Sequence, residues 1–77
     1  MNRIDYHLRL YRMQSELIKF TYDPKAGYQA VSQMRRWIQQ LTGQPDTNHL
    51  NQFLHGRVMD WNLLERCEAE VEKLQAA

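Results

Sequence analysis

Three breaks cut this 77-residue chain into short segments, and every segment between them repeats its apolar residues with a helical period. The breaks are Asp23-Pro24, Gly43-Gln44-Pro45 and Gly56-Arg57. A residue before proline is pushed out of the α region, and a glycine readily takes the left-handed conformation that closes a helix. No segment alternates apolar and polar residues as a half-buried strand would. The chain therefore reads as all-α: one compact four-helix domain over residues 1–77, with no repeat and no linker that would separate domains.

The first helix is expected over about 3–22, with Asn2 as its N-cap. Ile4, Leu8, Tyr11 and Ile18 line one stripe, and Leu10, Met13, Leu17 and Phe20 widen it into a face suited to a central or interface helix. The second is expected over 25–42, burying Ala30, Val31, Met34, Trp37, Ile38 and Leu41. Gly43 closes it in a left-handed C-cap. The third covers 47–55, with Asp46 or Thr47 as cap and Leu50, Phe53 and Leu54 turned inward. Asp60 caps the fourth, which runs to about 75. Its inner spacing is Trp61, Leu64, Cys67 or Glu68, Val71 and Leu74, with Glu65, Glu70 and Glu72 pointing outward.

A domain this small buries a modest fraction of its surface, and pairing with a second copy would bury more. Two Trp, four Tyr, two Phe and four Met could anchor such an interface. The single cysteine allows no internal disulfide, the N-terminus is polar and mixed in charge, and no apolar run approaches the roughly 20 residues that span a bilayer. A cytoplasmic location is the expectation.

Enzymatic patterns are missing. The glycines at 27, 43 and 56 form no phosphate-cradling loop. His49 and His55 stand about 240° apart around a helix, and no His or Cys spacing puts two metal ligands on one face. Cys67 falls in an apolar stripe, where a free thiol behaves as a small hydrophobe. The reading is a non-enzyme with no metal and no cofactor.

Net charge is +1, but it is unevenly distributed. Residues 1–57 carry eight basic and four acidic side chains, whereas residues 58–77 carry two basic and five acidic. Such a split suits one surface to an anionic partner and leaves another that avoids it, or reflects two solvated helix surfaces. The third helix is where the anionic partner would be met. Opposite Leu50, Phe53 and Leu54 it carries Asn48, His49, Asn51, Gln52 and His55, all uncharged hydrogen-bonding side chains, and Arg57 follows Gly56 at once. Amides of this kind can bond adenine N6 and N7 in the major groove of DNA.

Residues 41–57, Leu-Thr-Gly-Gln-Pro-Asp-Thr-Asn-His-Leu-Asn-Gln-Phe-Leu-His-Gly-Arg, resemble the helix-turn-helix core of small phage and plasmid repressors. Gly43 matches the turn glycine, Leu50 the aliphatic residue of the recognition helix, and Leu54-His55-Gly56-Arg57 its usual ending. The chain departs from that pattern by one extra residue between Gly43 and Leu50 and by Pro45 in the turn. The resemblance implies a small DNA-binding transcriptional regulator. Asn48, Asn51 and Gln52 would face the major groove, and His49 and His55 would assist or touch phosphates. Arg35, Arg36 and Arg57 would neutralise phosphates. The first helix would form a homodimer and set half-site spacing. A second reading stays open at this point: a protein-binding inhibitor or adaptor, anchored by aromatics such as Tyr6 and Tyr11 and by the loop carrying Tyr22, Lys25 and Tyr28.

Overall fold

A computed structural model describes residues 3–27 and 29–77. Among these residues are four α-helices: α1 (Arg3–Thr21), α2 (Ala30–Thr42), α3 (Thr47–Leu54) and α4 (Trp61–Ala76). There is no strand among the described residues. Helix α1 packs against both α2 and α4, and α2 also meets α3 and α4. The expected N-cap Asn2 lies outside the described residues, as does Tyr28.

Local chemistry sets the boundaries. Gly43, at φ +68°, closes α2 by donating its backbone N–H to Gln39 O at 3.0 Å. Asp46 caps α3 by accepting from His49 N–H at 3.1 Å, and Asp60 caps α4 by accepting from Leu63 N–H at 3.0 Å. The start of α2 differs from the expectation of residue 25. Pro24–Ala26 forms a separate 3-10 turn, capped by Asp23 and ended by Gly27 at φ +76°, so α2 begins only at Ala30. The turn is tied to α2 by Gln33, whose amide accepts from Asp23 N–H and donates to Asp23 O.

The core gathers residues from all four helices. Leu50, Phe53 and Leu54 of α3 are buried as expected, with Met34 and Ile38 of α2 and Leu63, Leu64, Cys67 and Val71 of α4. Val31 and Leu41 of α2, expected inside, are exposed, and Trp37, Trp61 and Leu74 pack half-buried at the margin. The larger correction concerns α1. Its buried residues are Tyr6, Leu10, Met13 and Leu17, whereas Ile4, Leu8, Tyr11 and Phe20 are exposed. Helix α1 carries two apolar seams about 150° apart, and α2 and α4 together cover only one of them.

Polar groups accompany the inner seam. The Tyr6 hydroxyl donates to Val58 O at 3.2 Å and accepts from Asp60 N–H at 3.0 Å, so Tyr6 is a core residue and not a surface anchor. Its ring meets Trp61 edge-on at 4.9 Å. The His7 ring sets Nδ1 2.8 Å from Arg3 O and Nε2 3.1 Å from Gly56 O, the Nε2–H tautomer donating to Gly56 O, and Gln14 donates its amide to Leu54 O at 2.7 Å. Three side chains of α1 thus satisfy the backbone between α3 and α4.

Gly56 shows how closely the two meet. A Cβ there would lie 3.0 Å from the His7 ring, whereas one on Gly43 would meet nothing within 4 Å. Both glycines have positive φ. Gly43→Ala should therefore cost about 1 kcal/mol of backbone strain, and Gly56→Ala should cost measurably more because the His7 contact must also give way. Tyr6→Phe should cost about 1–3 kcal/mol by leaving Val58 O and Asp60 N–H without their partner. Urea unfolding of the three variants checks both the values and their order.

Candidate functional site

With Leu50, Phe53 and Leu54 turned inward, the opposite side of α3 is left to Asn48, Asn51, Gln52 and His55. The link Gly43–Asp46 turns the chain back, so the C-terminal half of α3 lies beside the N-terminal half of α2. Between them runs an open groove of about 460 Å³. Helix α2 contributes Val31, Ser32 and Arg35 with its N-cap Gln29, α3 contributes Asn48, Asn51 and Gln52 with its C-cap His55, and Arg57 closes one end.

Arg35 Nη1 donates to Asn51 Oδ1 at 2.7 Å. That bond fixes which way the Asn51 amide points and leaves its NH₂ group, and the second lone pair of its oxygen, available to a ligand. Asn51 and Gln52 are half-buried, while Asn48, His55 and Arg57 are exposed. Among the described residues, no carboxylate lines the groove. Its chemistry is that of amide and imidazole hydrogen bonding between two guanidinium groups.

Six of the eight residues expected on a DNA-facing surface therefore come together: Arg35, Asn48, Asn51, Gln52, His55 and Arg57. Two do not. His49 turns to the other side of α3, where its Nε2 lies 2.8 Å from Asp60 Oδ2 and joins α3 to the cap of α4. Arg36 is exposed on α2 but does not line the groove. Gln29, Val31 and Ser32 were not anticipated from sequence. Their signal was the short link after Gly43, which makes α2 and α3 run back along each other and sets early α2 beside late α3.

Acidic side chains lie elsewhere. Glu68 of α4 accepts two hydrogen bonds from the Arg9 guanidinium, which also sits 5.4 Å from the Trp61 ring. Glu16 and Glu72 border the same α1–α4 cleft together with Arg12. Glu65 and Glu72 are exposed as expected, and Glu70 pairs with Lys73 at 3.2 Å. Tyr22 and Lys25 are exposed on the braced turn before α2, away from the groove.

Among the described residues, no three His, Cys, Asp or Glu side chains converge as metal ligands would. Burial pushes the Cys67 thiol up to about 12, so almost no thiolate exists at neutral pH to act as a nucleophile. No helix among the described residues is long and apolar enough to cross a membrane.

Compared with protein-family models, curated proteins and solved structures, the chain matches none of them.

The Asp60 carboxylate has a measurable consequence. Partial burial pushes its pKa up, but the Leu63 N–H and the His49 ring outweigh burial and hold it below the usual carboxylate range. A carboxylate depressed in the folded state adds stability above its unfolded value of about 4, and that stability is lost as pH falls through the folded value. Asp60→Asn should lower the melting temperature at neutral pH and lessen the loss on acidification below about pH 4. His49→Ala should also lower stability, while leaving the groove side chains in place. Thermal melts monitored by circular dichroism across that pH range test both.

Proposed function

We propose that this protein binds double-stranded DNA through the α2–α3 groove, as a small regulator that reads base edges. The supporting observation is the groove's composition: four uncharged hydrogen-bonding side chains of one short helix, flanked by two arginines, with no carboxylate among the lining residues. Asn48, Asn51 and Gln52 are the residues that would contact base edges, because their amides offer a donor and an acceptor together. Arg57 and His55 would meet phosphates. Arg35 would act in two ways, adding positive charge and holding Asn51 in one orientation. His49 has no part in this reading, because its ring is engaged with Asp60.

The salt dependence of duplex binding tests the proposal. Affinity for mixed-sequence DNA should fall steeply between low and moderate salt, because each neutralised phosphate releases condensed counterions. Arg57→Ala should weaken binding to all sequences alike and reduce the log–log salt slope by about 1. Gln52→Ala should instead relax preference at a base position, at a cost of about 1–3 kcal/mol for the preferred sequence. Arg36→Ala should leave the slope unchanged, which separates a groove from general attraction to a basic protein. Absence of duplex binding at low salt would sink the proposal. In that case the exposed Tyr22 and Lys25, held on a turn that Gln33 braces, are the surface to examine for a protein partner.

A further inference from the structure

The outer seam of α1 has a register of its own. Ile4, Leu8, Tyr11, Ser15 and Ile18 are spaced four, three, four and three residues apart, and Tyr22 continues the pattern by four. Helical hydrogen bonding reaches that far, since Tyr22 N–H bonds Ile18 O at 3.0 Å. This is the alternation of a two-helix seam. Ile4 is 69% exposed, Leu8 61%, and Tyr11 and Tyr22 51% each. Val31 of α2 borders the same side, across an apolar depression that it shares with Tyr11 and Ile18.

We infer that this seam is the interface of a homodimer in which α1 pairs antiparallel with α1 of a second copy. Three observations select a second copy as the occupant. The first is size complementarity. When the seam is reversed against itself, Tyr11 falls opposite the partner's Ser15, Leu8 opposite the partner's Ile18, and Ile4 opposite the partner's Tyr22. By register the bulkiest central position thus lies opposite the smallest, twice, as two-fold symmetry repeats it, while the Tyr11 ring leans toward its own His7 at 6.1 Å between ring centroids. A parallel pairing would set Tyr11 against the partner's Tyr11 and leave a gap at Ser15. The second is charge. Asp5, Arg12 and Lys19 share one flank of the seam, so reversal brings Asp5 toward the partner's Lys19 at both ends, two approaches of opposite charge against the single approach of Arg12 to the partner's Arg12 at the centre. Lys19 can exchange partners, because its in-chain pair with Glu16 is solvent-exposed. The third is area. The exposed seam with Tyr22 and Val31 offers on the order of 600 Å² per chain, so covering most of it on both copies reaches the ~1,000 Å² expected of a specific interface.

The pairing also places the rest of each chain. His7 and Gln14 flank the seam on one side, tied to Gly56 and Leu54 at the end of α3. Arg12 flanks it on the other, beside the cleft where Arg9 and Glu16 meet α4. Antiparallel pairing brings like flanks together. Both α2–α3 grooves then lie toward one side of the dimer and both acidic α4 helices toward the other. That placement suits the DNA reading, but neither it nor the dimer rests on that reading.

Sedimentation and thiol cross-linking test the dimer without any DNA. The protein should sediment as a dimer at about 100 μM, a concentration that saturates any Kd near 1 μM. Leu8→Glu alters an exposed residue, so it should keep its helical circular dichroism while weakening the dimer roughly 30-fold or more, as loss of a hot-spot side chain does. For the register, Tyr11→Cys and Ser15→Cys chains are mixed and oxidised; the native Cys67 is buried and its thiol protonated, so it does not compete. Cross-links between the two different variants should dominate. A monomer at 100 μM, an undiminished dimer in Leu8→Glu, or cross-links mainly between identical variants would overturn the inference. A dimer that binds no duplex overturns only the DNA reading, and a monomer that binds duplex overturns only the dimer.

Discussion

One hydroxyl couples three of the four helices. Tyr6 OH donates to Val58 O and accepts from Asp60 N–H, which fixes the connection between α3 and α4 against the middle of the core. Asp60, held there, spends its two carboxylate oxygens on different helices: one caps α4 through Leu63 N–H, the other meets the His49 ring of α3. Helix α3 needs this support. Eight residues form too short a helix to persist alone in water. Its stability is borrowed from three buried apolar side chains on one face and from the backbone ties that α1 makes around its C-terminal end.

The groove inherits its geometry from the same ties. Asn48, Asn51, Gln52 and His55 share an outer face because Leu50, Phe53 and Leu54 have no freedom to rotate away from the core. The Arg35–Asn51 bond then joins that face to α2. Charge follows the packing. The carboxylates of α4 are turned toward α1 or solvent, with Glu68 matched by Arg9, and the α2–α3 groove lies clear of them. The uneven charge along the sequence thereby becomes a separation in space.

Features that depend on a few neighbouring residues were legible in the sequence. Gly43, Asp46 and Asp60 each close or open a helix through a contact within four residues, and the inward turn of Leu50, Phe53 and Leu54 follows from spacing alone. The six groove residues were readable for the same reason, being largely the outer face of one short helix. His49 was misplaced because its fate is set by Asp60, eleven positions away and on another element. The 3-10 turn at Pro24–Ala26 was missed because Gly27, which ends it, reads equally well as a tolerated helix residue.

The inward face of α1 was not legible for a deeper reason. Tyr6, Leu10, Met13 and Leu17 make one seam, and Ile4, Leu8, Tyr11 and Ile18 make another of nearly equal apolar content. Burial of either would yield a similar hydrophobic gain, so periodicity and hydrophobicity leave the choice undecided. Hydrogen bonding decides it. With the observed face inward, Tyr6, His7 and Gln14 reach Val58 O, Asp60 N–H, Gly56 O and Leu54 O. With α1 rotated by about 150°, those four backbone groups would lose their α1 partners, and each one left buried without a partner costs about 1–3 kcal/mol. A few polar contacts across some fifty residues of sequence thus select between two otherwise matched apolar faces. The face that lost the competition is the one left outside, still apolar and still in register.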